Sequence, residues 1–242
     1  MLNPNEVMNR GADDDARWYS LYRIAAVSAL ITVVIFLFQI AAYFIWPPPA
    51  SVAGHFTLLQ AHRFVGLVSL DFLIIVDEVL AVPLALALYL SLRRVHESIV
   101  LLGTVLSLVS LLCFLIATPA LNMLYLSQQY AKATGNLERE QYLAAGQAVI
   151  SSWLGTPFQV GYVVGSIAMV LIGWAMLRSK DFGKLAGYTG IAASLVGLLI
   201  YVPKVGVFLS LLSVVGMQIW YVMIAVTLWR LSGPSAPEHL AA

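Results

Sequence analysis

Long apolar runs, separated by short polar breaks, dominate this chain. A hydrocarbon core about 30 Å thick is crossed by roughly 20 apolar residues in a helix. Six stretches reach that length, at about 24–46, 65–92, 98–115, 159–177, 185–202 and 205–231. Pro47-Pro48-Pro49 stops the first, because proline lacks an N–H and cannot continue a helix. The third is expected to run on as helix past Pro119 towards Tyr130. The pattern predicts an all-α polytopic membrane protein, a six-transmembrane-helix bundle forming one domain over 24–231. A polar segment over 1–23 and a flexible tail over 232–242 flank it.

Two loops carry patterns of their own. Residues 52–64 read as a short interfacial helix leading into the second span. Asn136 is placed to cap a helix over 137–153, with Glu138 favourable in its first turn. Leu143, Ala144, Gln147, Ile150, Trp153 and Leu154 recur at helical spacing, so one face is expected on the membrane surface or over the bundle.

Composition agrees. The chain is 61% hydrophobic and 10% charged, with mean hydropathy +0.89, whereas a soluble domain is about 45–50% apolar and about 25% charged. A net charge of +1 offers no basic face to nucleic acid. The single cysteine, Cys113, lies in an apolar run and reads as a small apolar residue. The polar N-terminus, with Asp13-Asp14-Asp15, is not expected to be a signal peptide, since the first apolar run is too long and lacks a small-residue cleavage site.

Basic residues in short loops set orientation. Arg10, Arg17, Arg23, Arg93, Arg94, Arg178, Lys180, Lys184 and Arg230 fall on one side, and Arg63, Lys132, Arg139 and Lys204 on the other. This predicts cytoplasmic N- and C-termini.

Three carboxylates inside the second span, Asp71, Asp77 and Glu78, are the sharpest departure from the apolar pattern. Acids in lipid are costly and normally face protein or water. Seven residues apart, Asp71 and Glu78 are expected to share one helix face about 10 Å apart along the axis, and Asp77 points about 100° away. Asp77 then stands about 24 Å from Arg93, in the outer half of the membrane. The cluster reads either as a proton, cation or polar-ligand site or as a structural polar cluster. Lys204 is the one base expected at a similar level, and it either pairs with these acids or snorkels from its loop. Asn122 and Gln159 complete a conceivable outer vestibule. Together with Gln39, Gln128 and Gln218 they also fit helix-to-helix bonding.

His55, His62 and Asp71 make a weak metal pattern, and surface histidines are the preferred reading. Gly161 with Gly165, and Ala186 with Gly190, have the small-xxx-small spacing of closely packed helices. No catalytic triad, phosphate-binding loop or dinucleotide fingerprint is present, and no cofactor is expected.

Four runs carry a resemblance: NMLYLSQQYAKAT at 122–134, LAAGQAVI at 143–150, GTPFQVGYVVG at 155–165 and MLRSKDFGKLAGYTGI at 176–191. With LDFL at 70–73, they resemble a family of uncharacterised six-span bacterial membrane proteins, a domain of unknown function. The resemblance implies six helices, a bacterial source and the cytoplasmic membrane. It implies no activity and no catalytic residues. Asp71 lies in the family-like LDFL element, whereas Asp77 and Glu78 lie outside it.

Three functions remain open. The first is non-enzymatic binding of a lipid, a small apolar molecule or a membrane partner at the outer side, motivated by the long third span, the amphipathic outer helix and the aromatics Tyr125, Tyr130, Tyr142, Trp153, Phe158 and Tyr162. The others are proton- or cation-coupled transport, and a membrane enzyme using an acid of the cluster as general acid. Membrane lipids are the expected partners, and a homo-oligomer fits the glycine spacing.

Overall fold

The computed structural model describes residues 17–153 and 155–233. Residues 1–16 of the predicted polar segment and 234–242 of the predicted tail lie outside them. The described residues form helices and no strand. In chain order these are α1 (Tyr19–Ile45), α2 (Val52–Ala61), α3 (Arg63–Val68), α4 (Phe72–Ala117), α5 (Ala120–Lys132), α6 (Asn136–Trp153), α7 (Thr156–Arg178), α8 (Lys184–Leu198) and α9 (Gly206–Leu231). A 3-10 turn, Leu199–Tyr201, extends α8.

Among the described residues, five helical stretches are long and apolar enough to cross a membrane. Six were predicted, and the difference lies in α4. This 46-residue helix, if straight, would be about 69 Å long, twice a bilayer core. It is not straight. His96 leaves helical geometry (φ −163°, ψ 90°), and the Tyr89 hydroxyl donates to Glu97 Oε1 at 3.4 Å across the bend. Residues on either side, 72–79 and 105–117, also belong to one compact unit, although a straight helix would separate Val79 from Val105 by about 39 Å. The chain therefore folds back at His96 into two limbs of roughly 20 residues each.

Two boundaries differ from expectation. The second span does not start at residue 65: α3 ends at Val68, a turn follows, and helix resumes at Phe72. The third span does not run through Pro119. Thr118 is extended (ψ 120°), the conformation a following proline imposes, and α5 begins afresh at Ala120. Asn136 does not cap α6 but is its first residue. Glu138 reaches back to accept from the Thr134 N–H at 3.2 Å.

Contacts divide the chain into two compact units whose borders fall inside α1, α4 and α7. The first contains α1 up to Ile31, Leu80–Thr104, and the chain from Met169. Its core joins Ala25, Ala26 and Ala29 to Leu88, Leu92, Met176, Trp220, Ile224 and Leu228. Small residues let the backbones approach: a Cβ on Gly187 would stand 2.9 Å from the Gly173 carbonyl oxygen.

The second unit contains Thr32–Val79 and Val105–Ala168. Ser51 starts α2 by accepting from the Gly54 N–H at 3.1 Å, the role of an N-cap. Val52, Phe56 and Leu59 of α2 pack with Leu70 and with Ala120 and Met123 of α5, and α6 closes over α2 and α5. Gly146 of α6 meets Val52 and Phe56 so closely that a Cβ would fall 2.5 Å from Val52 Cγ1. In the same unit Gly161 and Gly165 pack on Cys113 and Ser110 of α4, and Ser110 Oγ donates to the Gly161 carbonyl at 2.8 Å.

The outward side chains are apolar. Phe44, Ile116 and Phe208 are 85%, 71% and 71% exposed, an exterior that suits lipid better than water.

Candidate functional site

The acids lie in the second unit, and a polar stripe along α1 faces Asp71 and Asp77. Thr32, Gln39 and Tyr43 are seven and four residues apart, which aligns them on one helix face. Tyr43 donates its hydroxyl to Asp71 Oδ1. Gln39 Nε2 donates to the Val68 carbonyl at 3.0 Å, one turn before Asp71, and the Gln39 side chain also reaches Tyr43. Thr32 lies beside Asp77.

Asp71 is not a helical residue. It occupies the left-handed region (φ 58°, ψ 32°) at the corner where α3 gives way to α4. Aspartate tolerates that region better than most residues. Local bonds build the corner: Leu70 N–H to Leu67 O and Asp71 N–H to Val68 O, both 3.1 Å. Leu70 is fully buried and anchors it. The shared face expected for Asp71 and Glu78 is therefore overturned, because one continuous helix does not join them. Asp71 is turned to α1 by the corner. Asp77 and Glu78 are adjacent on α4.

Burial here is unusual. Every residue from Asp71 to Glu78 is half-buried, and none is fully buried or fully exposed. A helix packed tightly on one side would alternate between the two. Asp77 Oδ1 and Gln39 Oε1 are buried atoms with no hydrogen-bond partner. Buried polar atoms are normally satisfied, so these two orphan acceptors, Gln39 on α1 and Asp77 on α4, each lack a donor.

The other candidates are more scattered. Asn122 is exposed on α5, which packs mainly on α2 and α6. Gln159 is half-buried on α7 in the same unit. Lys204 belongs to the first unit, exposed in the turn before α9 and left-handed (φ 71°).

His55 is not a surface residue. It is 6% exposed on the inward face of α2, because α6 and α5 cover that face. Desolvation holds its pKa below the usual 6.5, and its Nδ1 has no partner. No three His, Cys, Asp or Glu side chains converge among the described residues. The expected aromatic set also divides: Tyr130 and Tyr142 pack into the α2–α5–α6 core, Phe158 stacks with Tyr162 at 5.8 Å, and Tyr125 stays exposed.

Thr32 and Tyr43 were not among the residues singled out from sequence. Their seven- and four-residue spacing with Gln39 was the available signal, hidden because hydroxyl residues are common in membrane helices. Comparison with family models, curated proteins and solved structures finds no match to this chain.

Proposed function

We propose that this chain is a non-enzymatic membrane protein that binds a lipid or similarly amphipathic small molecule at the Asp71–Glu78 turn. The single observation that carries this reading is the half-buried segment 71–78 with two orphan acceptors, Asp77 Oδ1 within it and Gln39 Oε1 on α1. A headgroup bearing N–H or O–H donors supplies what these atoms lack, while the apolar exterior leaves room for acyl chains alongside. Carboxylates favour a cationic or hydroxyl-rich headgroup over an anionic one. The distribution of basic residues supports cytoplasmic termini with this turn toward the outer face. The resemblance, which covers roughly 22–231, supports a bacterial cytoplasmic membrane and the six-span family.

The test is thermal unfolding in detergent with added phosphatidylethanolamine. The midpoint should rise in the wild type and fail to respond in Asp77→Asn/Glu78→Gln. An equal response in both removes the carboxylates from the site.

A second reading has one observation in its favour: three acids in eight residues, two of them adjacent, suit a coupling site for protons or cations. Reconstituted flux that is unchanged in Asp77→Asn/Glu78→Gln would eliminate it.

A further inference from the structure

A recess of about 620 Å³ lies within the first unit, a volume in the range of small-molecule sites, about 300–1,000 Å³. Its wall comes from the start of α1, from α4 just before its bend, from the end of α7 with the turn after it, and from the end of α9. Arg94, Arg178, Lys180 and Arg230 line it, against one carboxylate, Asp181. Leu90 and Leu231 give it an apolar side. The four cations are exposed, and the Arg178 guanidinium rests 3.8 Å from the centre of the Trp174 ring.

Two ordinary roles account for basic residues here. They complement the negative ends of helices, as Arg178 and Arg230 do in the last turns of α7 and α9. They also set orientation through loop charge. Neither role needs cations from three helices and a turn to share one recess, nor an apolar wall beside them. Stacking on Trp174 holds one guanidinium in place beforehand, which lowers the entropy lost on binding.

We propose that this recess binds a phosphate-bearing anion, with Arg178, Lys180 and Arg230 as its principal contacts. Arginine matches phosphate geometry with paired donors, and lysine adds a point charge. Basic recesses between membrane helices commonly take anionic headgroups. A lipid phosphate and a free phosphate present the same chemistry, and the experiment separates them.

The thermal midpoint of the detergent-solubilised protein is measured with phosphatidylglycerol against phosphatidylcholine, and separately with inorganic phosphate against chloride at equal ionic strength. The expected result is a rise of several degrees with phosphatidylglycerol. It should be absent in Arg178→Gln/Lys180→Gln/Arg230→Gln, whose lipid-free midpoint stays near wild type. A rise with inorganic phosphate alone, lost in the same variant, supports the site and assigns it to a soluble ligand. No rise in the wild type with either, or equal rises in both proteins, overturns the proposal. If the triple variant does not fold, salt decides. At roughly 0.5 M NaCl screening shortens to a few ångströms; the wild-type rise should then collapse, and its persistence would equally overturn the proposal.

Discussion

The Tyr43 hydroxyl donates to the carboxylate of Asp71, twenty-eight residues further along the chain. This bond ties the last turn of a long apolar helix to a left-handed corner, and it is the fixed point of the acid-bearing segment. Tyr43→Phe removes the donor and leaves the carboxylate with less compensation. The loss should be about 1–3 kcal/mol, read as a lowered thermal midpoint in detergent. A midpoint equal to wild type would show that the bond contributes nothing to the fold.

Residue 71 faces two demands, a positive φ and an acceptor for Tyr43. Asp71→Asn meets both and should be close to neutral. Asp71→Gly relieves the backbone but loses the acceptor. Asp71→Val fails both, and left-handed geometry alone costs a non-glycine residue about 1–2 kcal/mol. The predicted order of midpoints is Asn above Gly above Val, and Val at or above Asn would contradict the corner's role.

Helix approach sets a third expectation. A Cβ on Gly187 would lie 2.9 Å from a backbone oxygen of Gly173, and one on Gly173 would lie 3.0 Å from that of Gly187. Backbone cannot move aside as a side chain does, so Gly187→Ala should cost about 1–3 kcal/mol through overpacking. Gly183→Ala, with nothing within 4 Å, is the control and should change little. Equal midpoints for the two variants would refute the close contact.

His55 predicts a pH dependence with a definite sign. Burial disfavours its imidazolium, and a hydrogen bond to the Pro49 backbone offsets this only in part. Its folded pKa is therefore below the unfolded value of about 6.5. Above that pH the residue is neutral in both states and its contribution is fully present. As pH falls from about 6.5 towards the lowered folded value, the unfolded chain takes up a proton that the folded chain resists, and stability declines. His55→Gln should flatten the midpoint between pH 7 and pH 5 (roughly the range that brackets a histidine). An unchanged slope would place the acid sensitivity elsewhere.

Helical class and membrane character were legible because hydropathy over about 20 residues is a local property. So was the Gly161–Gly165 contact, since its spacing is itself the packing device. The corner at Asp71 was not legible. LDFL sits in an unbroken apolar run, and only tertiary bonds from Gln39 and Tyr43 show where the helix is interrupted. The bend at His96 was legible as a polar break, but its form was not. His55 was misread because exposure depends on α5 and α6, which arrive from more than sixty residues away. The basic recess draws on residues from Tyr19 to Gly233, a span over which no local pattern operates.

On the proposed function, the Asp71–Glu78 segment holds a lipid or similarly amphipathic molecule. Native mass spectrometry of the detergent-purified protein tests it most directly, with wild type and Asp77→Asn/Glu78→Gln compared under identical conditions. The wild type should carry a discrete adduct of one identifiable amphiphile, with most of it lost from the variant. A wild type free of adduct, or an adduct retained equally by both proteins, would contradict it.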